Sequence, residues 1–463
     1  NINKDMARLV TTKFKVHNAE QFVESLGETS ATNLYLFIGK VQEWDDENAP
    51  PAPNEAVANT LYSYWDQMIA AKKVTSADVK HVITRKNWES NTAYITYTHT
   101  NPDQLANNFY VVTEDFNVYK CLQNNLSNGA STIKPTGTGT AVIEVVDGYK
   151  WKYMYTLNAS QQAEFLSVDF MAVATDSTVS SAAVDGAINV IKIKTPGSAG
   201  TDGTHTSVPI RGDGTGGVCS VTIASGAVTA VTVTTPGTGY TFAYIRVADI
   251  NSAGGGALIT SEIDVIIEPS GGHGFNAVEE LGGFFIMLNT SLEGTESGNS
   301  GDVTVANDFR KVSLIRDPKS SGVAATATTL RATTATVGSV SVGTFTVDEE
   351  INQASTGAVG KVIEWDSTNK ILYFIQTRHN DEGIDINGNQ TAFSGTNIIT
   401  GQSSSATVTP DTTTGTVNSQ TFSNGYSSSE IDHGSGDIVY VENRAPITRA
   451  ADQTENIKLI IEF

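Results

Sequence analysis

The sequence predicts a mainly β protein with some α-helix, an α+β fold in which a discontinuous core domain is interrupted by two all-β insertion domains. Charged residues make up only 17% of the 463-residue chain, which also contains 41 glycines, and such a composition is typical of short strands joined by many turns. The helical patterns lie in the first part of the chain, together with four of the five tryptophans, Trp44, Trp65, Trp88 and Trp151. From about Val184 onward, Gly, Thr, Val and Ser dominate.

Two helices are predicted in the N-terminal part. The order Asn18-Ala-Glu-Gln21 has the form of a capping arrangement and predicts a short helix that buries the apolar residues after it, Phe22, Val23 and Leu26. A longer helix is predicted to begin at Asn54, because apolar residues then recur at the spacing of one helix face. These residues form a single stripe, Val57, Leu61, Trp65 and Met68.

The remaining N-terminal elements are predicted to be strands. They are Asn33–Ile38, Tyr94–His99, Phe109–Tyr119, Ala141–Val146 and Trp151–Leu157. In the last strand aromatic residues alternate with lysines, which is typical of a strand with one buried and one exposed face. Asp45–Pro53 is acidic and proline-rich, and we therefore predict an irregular connection there.

A degenerate repeat identifies the first insertion. Ile188–Arg211 and Ala227–Asp249 each contain a β-rich run, a Pro-Gly turn and a second β-rich run. The strand Cys219–Ile223 and the turn Ala224–Ala227 join the two copies. The pattern predicts a small all-β module.

The second insertion is also predicted to be β-rich. Its strands are predicted at Thr344–Val347, Lys361–Trp365 and Lys370–Gln376. Turns are expected where glycine recurs, at Gly357, Gly360, Gly388 and Gly401. Beyond a Ser/Thr-rich stretch, an alternating strand around Ile438–Val441 leads into a polar, proline-interrupted connection and a final strand, Ile457–Phe463.

These elements predict five segments. The core domain comprises 1–183, 263–322 and 417–463, the first β insertion comprises 184–262, and the second comprises 323–416.

The charge of the chain narrows its class of partner, and its cysteine content indicates the compartment in which it is made. Fifty acidic residues against 29 basic ones give a net charge of −21, which disfavours nucleic acid and anionic membranes, since phosphate binding requires clustered Lys and Arg. Cys121 and Cys219 are far apart and are expected to be buried thiols of a protein made in a reducing compartment. No signal peptide and no apolar run of about 18–20 residues is visible, so we expect a soluble protein made in the cytosol.

No motif predicts a catalytic, cofactor-binding or metal-binding residue. The seven histidines lack metal-ligand spacing, and there is no CxxC pair, GxSxG elbow or phosphate loop. His273 lies among glycines and is expected in a turn. Asp385–Asn389 faintly resembles a calcium loop but is expected to be a hairpin turn, and the tripeptide Arg211-Gly-Asp213 is discounted as a chance match.

The C-terminal sequence resembles a known family. Tyr440-x-Glu-Asn-Arg444-x-Pro-Ile447, followed by Asp452-Gln-Thr-Glu-x-Ile457, resembles the C-terminus of a baseplate wedge protein of T-even-type contractile-tailed bacteriophages. Earlier segments follow the order of the same family. These are Tyr35–Gly39 with Trp44, the Pro50–Pro53 cluster, Trp65-x-x-Met68, Arg85-x-x-Trp88, Gly148-Tyr-x-Trp151 and Asp308-Phe-Arg310.

The resemblance implies a structural subunit and not an enzyme. A protein of this family forms a homodimer in each baseplate wedge, bridges other wedge proteins and takes part in the rearrangement that accompanies contraction. It would be made and assembled in the host cytoplasm and reside in the virion tail baseplate, without a cofactor, nucleic acid, membrane or small-molecule substrate. Trp44, Tyr440 and Arg444 are the candidate interface residues, because aromatic residues and arginine anchor interfaces. The competing interpretation is core packing for Trp44 and Tyr440 and an internal ion pair for Arg444.

Two other functions stay open at the level of sequence. One is a tail-fibre or receptor-binding protein with a glycan-binding β domain, although such proteins have long repetitive shafts. The other is a virion-associated polysaccharide hydrolase, which requires two carboxylates facing each other across a cleft. Acidic clusters at Asp45–Glu47, Asp348–Glu350 and Asp381–Glu382 leave that possibility open.

Overall fold

The computed structural model describes residues 9–28, 32–40, 43–54, 58–125, 129–295, 303–304, 308–376, 383–447 and 454–463. The chain divides into two compact units. The first unit comprises Asn1–Gln21, Lys80–Met287 and Leu459–Phe463, and the second comprises Phe22–Val79 and Leu288–Lys458. The five segment boundaries expected from the sequence stay predictions.

Strand residues (44%) outnumber helical residues (12%), which confirms the mainly β fold with some α-helix. The α-helices of the described residues are Thr12–Ser25, Ala58–Gln67, Ala159–Glu164, Ser177–Ala182, Val247–Ile250 and Ala277–Leu281. Short 3₁₀ turns occur at Ser76–Asp78 and Gln104–Ala106, and a π turn at Asn251–Gly255.

Both predicted helix boundaries need correction. The first helix begins at Thr12 and not at Asn18, because Thr11 Oγ1 accepts a hydrogen bond from Phe14 N at 3.3 Å and so supplies the cap about two turns earlier. Of the residues expected inside, Leu26 is buried, whereas Phe22 and Val23 are half-buried. The second helix ends at Gln67, and Met68 opens the next strand. Residues 55–57, within the predicted start, lie outside the described residues.

A five-stranded antiparallel sheet organises the second unit. Its strand order is Thr329–Arg331, Met68–Val74, Leu34–Gly39, Phe309–Arg316 and Asp437–Ile447. All six residues of the central strand are buried, which confirms the strand predicted at Asn33–Ile38 and explains its unbroken apolar run. Among the described strands, Asp437–Ile447 is an edge strand.

The predicted proline-interrupted connection does not begin directly after Val441, and its residues 448–453 lie outside the described residues. The strand continues through Pro446 to Ile447. Proline is tolerated there because an edge strand leaves one side of its backbone unpaired, and because the pairing is interrupted by a bulge opposite Arg310. The predicted final strand is confirmed as Thr454–Glu462.

Six strands of the second unit close into a ring. In ring order they are Ile371–Ile375, Ala358–Asp366, Glu350–Gln353, Ile399–Gly401, Thr407–Pro410 and Thr334–Val342, with Tyr426–Ser427 added to the last. The first and last of the six also pair, so that the sheet curls around buried residues such as Ile351 and Phe374. We call this element the small barrel.

The small barrel confirms part of the predicted second insertion. The predicted strands Lys361–Trp365 and Lys370–Gln376 are present, and Gly357 and Gly388 lie in turns with positive φ. Thr344–Val347 is not a strand but an irregular segment that inserts Phe345 into the core. Gly360 and Gly401 lie within strands instead of turns.

A four-stranded sheet lies in the first unit. Its order is Tyr110–Val112, Asn117–Gln123, Lys150–Thr156 and Ile143–Glu144. The single strand predicted at Phe109–Tyr119 is therefore a hairpin, with Phe116 at φ 59° in its turn. The strand predicted at Ala141–Val146 is reduced to two residues, and Tyr94–His99 is irregular.

The strand Lys150–Thr156 is buried on both faces. Trp151 to Tyr155 are all buried, including Lys152, whose Nζ donates to the carbonyl of Thr140. The half-exposed alternation predicted for this strand is therefore wrong. A lysine can be buried there because a backbone carbonyl oxygen accepts a hydrogen bond from its ammonium group.

The glycine-rich module, Ile188–Ile267, confirms the predicted β character of the repeat segment. Its strands are Ile188–Thr195, Ser198–Gly200, Gly203–Pro209, Arg211–Gly212, Val218–Ala224, Ala227–Thr235, Ala243–Tyr244, Gly256–Ile259 and Glu262–Ile267. Val218–Ala224 is the middle strand of a three-stranded sheet. The tight turn after it, at Ser225 and Gly226, is the turn predicted from the sequence.

A cage of glycines surrounds Tyr240 in the core of this module. Tyr240 is buried, and its hydroxyl donates to the carbonyl of Ile210 and accepts from the amide of Gly217. A Cβ atom at Gly214 would lie 2.4 Å from the tyrosine ring, and one at Gly237 2.8 Å from it. The glycine run at 212–217 is thus required for close packing.

The remaining strands form a further sheet or short pairs. They are Val79–Thr84, Phe170–Ala172, Phe285–Thr295, Val303–Thr304, Lys319–Ser320, Val323–Ala324, Thr416–Val417 and Gln420–Thr421. Cys121 and Cys219 are free and buried, as predicted. Within the described ranges, no helix combines the length and apolar character needed to cross a bilayer.

Candidate interface at the C-terminal edge strand

The three candidate residues named from the sequence meet at Asp437–Ile447, which we call the C-terminal edge strand. Val439 forms a bulge opposite Leu314 and Ile315, so Ile438 and Val441 both pack toward the core cluster of the five-stranded sheet. Residues two apart in a strand share a face, and Tyr440, Glu442 and Arg444 accordingly form a row on the other face.

Glu442 connects the two other members of this row. The Tyr440 hydroxyl donates to Glu442 Oε2 at 2.9 Å, and Arg444 donates to both carboxylate oxygens, from Nε at 2.6 Å and from NH2 at 3.2 Å. Partial burial, together with the charge of Glu442, raises the pKa of Tyr440 to about 12. All three side chains are half-buried, so the row is an ordered, partly accessible surface.

Trp44 contacts the same strand. It directly precedes the acidic, proline-rich segment Asp45–Pro53, which together with Trp44 we call the acidic connection. Its indole Nε1 donates to the carbonyl of Arg444 at 2.8 Å, and Asn443 Nδ2 donates to the carbonyl of Pro51 at 2.8 Å. Arg444 lies in the bulge where pairing with Phe309–Arg316 is interrupted. The indole therefore supplies a donor to a carbonyl that the ladder leaves open.

A chain of ion pairs lies beside this strand, and sequence reasoning missed it. In order along the network its members are Glu47, Arg310, Asp308, Lys40, Asp348 and Lys361, with nitrogen–oxygen distances of 2.5 to 3.4 Å. Lys40 and Arg310 are buried. Burial opposes the charge of Asp308, yet Lys40 and Arg310 hold its pKa below the usual value. The network joins the acidic connection, the five-stranded sheet and the small barrel.

A second group of charges is buried in the first unit around His273. Lys120 Nζ lies 2.5 Å from Glu280 Oε1, and His273 Nδ1 lies 2.6 Å from the same oxygen. Because this oxygen is a carboxylate acceptor, we assign the ring proton to Nδ1. His273 N donates to Glu268 Oε2 at 2.9 Å, and the Lys120 ammonium lies 3.5 Å from the Tyr97 ring centroid.

The charged groups of this buried cluster are in contact with one another. The turn predicted at His273 is confirmed, with Gly272 and Gly274 at φ 94° and 86°. The space lined by Tyr97, Glu268 and His273 has no room for a water molecule. Burial raises the pKa of Glu280, but Lys120 and His273 outweigh it and lower that pKa to about 2. The carboxylate is therefore held as an anion between two buried partners.

The other sequence features that resembled functional motifs make contacts within the protein. Asp385 accepts hydrogen bonds from the amides of Asn387 and Asn389, which makes the predicted hairpin turn, and no group of His, Cys, Asp or Glu in the described residues could hold a metal ion. Arg211 pairs with Asp249. Of the acidic clusters, Glu47 and Asp348 belong to the ion-pair network, and Asp381–Glu382 lies outside the described residues.

Comparison with known proteins matches the segments that build the candidate interface. Residues 8–124 and 387–463 match the family model described as Bacteriophage T4, Gp8. The baseplate wedge protein gp8 of Enterobacteria phage T4 is 26% identical over 185 residues, which cover 32% of this chain and 55% of that protein. The chain thus spans about half the length of the curated relative that it matches.

These matches make the chain similar to one class of protein, the structural proteins of bacteriophage tail baseplates. Within that class, the similarity predicted from the sequence is confirmed: the chain resembles T4-type baseplate wedge proteins. The matched segments contain Trp44, Tyr440 and Arg444, whereas the glycine-rich module and most of the small barrel lie between them.

Proposed function

We propose that this protein is a structural subunit of a contractile-tail baseplate wedge. In this role it bridges other wedge proteins and takes part in the rearrangement that accompanies contraction. The observation that carries the proposal is the contact of Trp44, in the first matched segment, with Arg444, in the second. The residues that match the family model thus include both partners of this contact.

The C-terminal edge strand is the proposed assembly surface. An edge strand presents unpaired backbone groups that natural proteins either protect or use for association. Here the acidic connection covers the end near Arg444, while Val439 remains exposed and Tyr440 is half-buried. A partly exposed strand that carries an ordered tyrosine and arginine has the composition of an interface anchor.

We propose further that two copies associate as a homodimer through this strand. A two-fold interface uses the same patch on both copies, and two identical edge strands can pair antiparallel across the two-fold axis. The Tyr440–Glu442–Arg444 row would then be repeated on either side of that axis. Association of this kind requires no cofactor, metal or substrate.

The absolute mass of the purified protein tests the homodimer. Size-exclusion chromatography with light scattering should give twice the chain mass of 49.1 kDa, and Arg444→Ala should shift the equilibrium toward monomer. Arg85→Ala is the matched control, since Arg85 is also half-buried and hydrogen-bonded, to Asn87 and Ser167, but makes none of the contacts described above with the C-terminal edge strand. A trimer would contradict the proposal and favour a fibre protein.

Particle assembly tests the wedge role independently of the dimer. The gene for the Arg444→Ala variant should be supplied to a virus that lacks its own copy, and baseplates should be counted by electron microscopy. We expect fewer complete baseplates than with wild-type or Arg85→Ala protein. The three proteins should be matched in solubility and in helix and strand content by circular dichroism. Normal incorporation of the Arg444→Ala protein into infectious particles would contradict an assembly role for this strand.

A further inference from the structure

The glycine-rich module carries an exposed surface of two aromatic rings and two guanidinium groups. Arg211 is the antiparallel neighbour of Tyr244, and directly opposed side chains lie on the same face of a sheet. Phe242 and Tyr244 are 56% and 47% exposed. The side chains of Arg211 and Arg246 are 44% and 52% exposed. We call these four residues the aromatic–arginine patch.

One buried carboxylate fixes both guanidinium groups. Asp249 accepts Nε and NH2 of Arg211 at 3.1 and 3.0 Å, and the same two nitrogens of Arg246 at 2.9 and 2.9 Å. A guanidinium has five N–H donors, so each arginine uses two for Asp249 and keeps three for another acceptor. The two groups are thus held in place before any partner arrives, and less side-chain entropy is lost on binding.

Two positive groups belong to the patch, and two carboxylates lie close to it. Two guanidinium groups share the single carboxylate of Asp249. The nearby Asp213 instead accepts from the amide and hydroxyl of Thr241 and from the amide of Phe242. The three N–H donors that each arginine keeps are therefore the groups through which this surface of an acidic chain can hold an anionic group.

We propose that the aromatic–arginine patch binds an acidic segment of another protein. A carboxylate of that segment takes the remaining N–H donors of Arg211 and Arg246, which match a carboxylate in bidentate geometry. An apolar or aromatic side chain beside it packs on Phe242 and Tyr244. Tyrosine and arginine are the residues that most often dominate protein interfaces. The patch lies outside residues 8–124 and 387–463, so it is a second proposed binding surface, separate in sequence from the edge-strand interface.

A random copolymer of glutamate and tyrosine is a defined probe for this chemistry. Biolayer interferometry with the full-length protein at physiological salt should show binding of poly(Glu,Tyr) and weaker binding of poly(Glu). Arg246→Gln and Tyr244→Ala should each weaken poly(Glu,Tyr) binding at least tenfold. Arg316→Gln should leave it unchanged, because Arg316 is another exposed, ion-paired arginine, located in the second unit.

Three results would overturn the proposal. They are absence of binding by the wild-type protein, equal weakening by the Arg316→Gln control, and preference for poly(Lys,Tyr). Saturable binding of the neutral sugar maltoheptaose that is lost in Tyr244→Ala would also overturn it and assign the patch to a glycan. If Arg246→Gln unfolds the module by circular dichroism, Tyr244→Ala decides the outcome, since that side chain is half exposed.

Discussion

The indole Nε1 of Trp44 lies 2.8 Å from the backbone carbonyl of Arg444 and donates a hydrogen bond to it. The two residues are separated by 400 positions in the sequence, and the carbonyl belongs to a bulge in the C-terminal edge strand. A carbonyl in a bulge lacks its ladder partner, so a side-chain donor at this point stabilises the strand end. The contact makes the acidic connection a structural part of the proposed interface.

Removing this donor should destabilise the second unit. Trp44→Phe leaves the Arg444 carbonyl without the indole N–H, which costs about 1–2 kcal/mol beyond the loss of ring area. Trp365→Phe is the control, because Trp365 is also half-buried but its Nε1 has no hydrogen-bond partner. The measurement is the urea midpoint of unfolding for both variants. Equal losses would show that the hydrogen bond to Arg444 contributes nothing.

The buried cluster in the first unit should show strong coupling between Lys120 and Glu280. Lys120→Met or Glu280→Gln leaves one charge buried without its main partner, which typically costs about 3–5 kcal/mol. The double substitution removes both charges, so its cost should fall below the sum of the single costs by more than about 1 kcal/mol. Urea unfolding of all four proteins measures the cycle.

The matched cycle uses Lys194 and Glu262, whose ion pair has both side chains mostly exposed. Its coupling should stay within about 0.5 kcal/mol. Additive costs at Lys120 and Glu280 would show that the buried contact is not an energetic pair.

The same cluster predicts a loss of stability in acid. The pKa of Glu280 is lowered from its usual 4.5 to about 2 in the folded protein. The folded state therefore binds its proton less readily than the unfolded state, and the stabilisation is present above about pH 4.5 and lost as the pH falls toward 2. Glu280→Gln should flatten the dependence of the urea midpoint on pH in this window. An unchanged slope would contradict the assignment.

Elements with continuous or alternating apolar patterns could be predicted from the sequence. The buried strand Leu34–Gly39 and the strands around Lys361–Trp365 and Ile371–Ile375 follow directly from their apolar residues. The hairpin within Phe109–Tyr119 could not be predicted, because an aromatic residue, Phe116, occupies its left-handed turn position. Residue preference at that position favours Gly, Asn or Asp.

Buried charges were the main source of error. Lysine is rarely buried without a partner, so Lys152 was expected on an exposed face, and Lys40 and Lys120 were not identified at all. Each of these lysines has an acceptor that is not its neighbour in the chain. Lys152 donates to the carbonyl of Thr140, Lys40 to the carboxylate of Asp308, and Lys120 to the carboxylate of Glu280. Trp44 and Arg444 are named together as candidates only beside the family resemblance, and they are in contact in the structure, whereas their role in an interface stays a prediction.

The glycine cage around Tyr240 predicts a purely steric effect. Gly214 has no positive φ, but a Cβ there would lie 2.4 Å from the tyrosine ring and 2.6 Å from the Thr238 carbonyl. Gly214→Ala should therefore cost about 1–3 kcal/mol through forced displacement of the ring. Gly139→Ala is the control, since no atom lies within 4 Å of its Cβ position. A differential scanning calorimetry trace of the Gly214→Ala protein identical to the control would contradict the cage.

Lys311 should make the second unit more stable as the pH rises. Its Nζ donates to Gln67 Oε1 at 3.0 Å and lies 3.9 Å from the Tyr64 ring centroid, with no carboxylate in either contact. Burial lowers the pKa of Lys311 from 10.5 to about 7, because the charged form loses its hydration. Between these values the unfolded state binds the extra proton, so stability rises by about 1.4 kcal/mol per pH unit.

Replacing this lysine with an apolar residue of similar length should remove that dependence. Lys311→Met should be more stable than wild type at pH 6.5, and the difference should shrink or reverse by pH 9.5, because wild-type Lys311 is then neutral in the folded state and still charged in the unfolded state. Lys319→Met, at an exposed position of the same unit, serves as the control. Urea midpoints at pH 6.5, 8 and 9.5 measure the effect. Parallel curves for wild type and Lys311→Met would mean that Lys311 stays charged in the folded protein, and that Gln67 and the Tyr64 ring compensate for its burial.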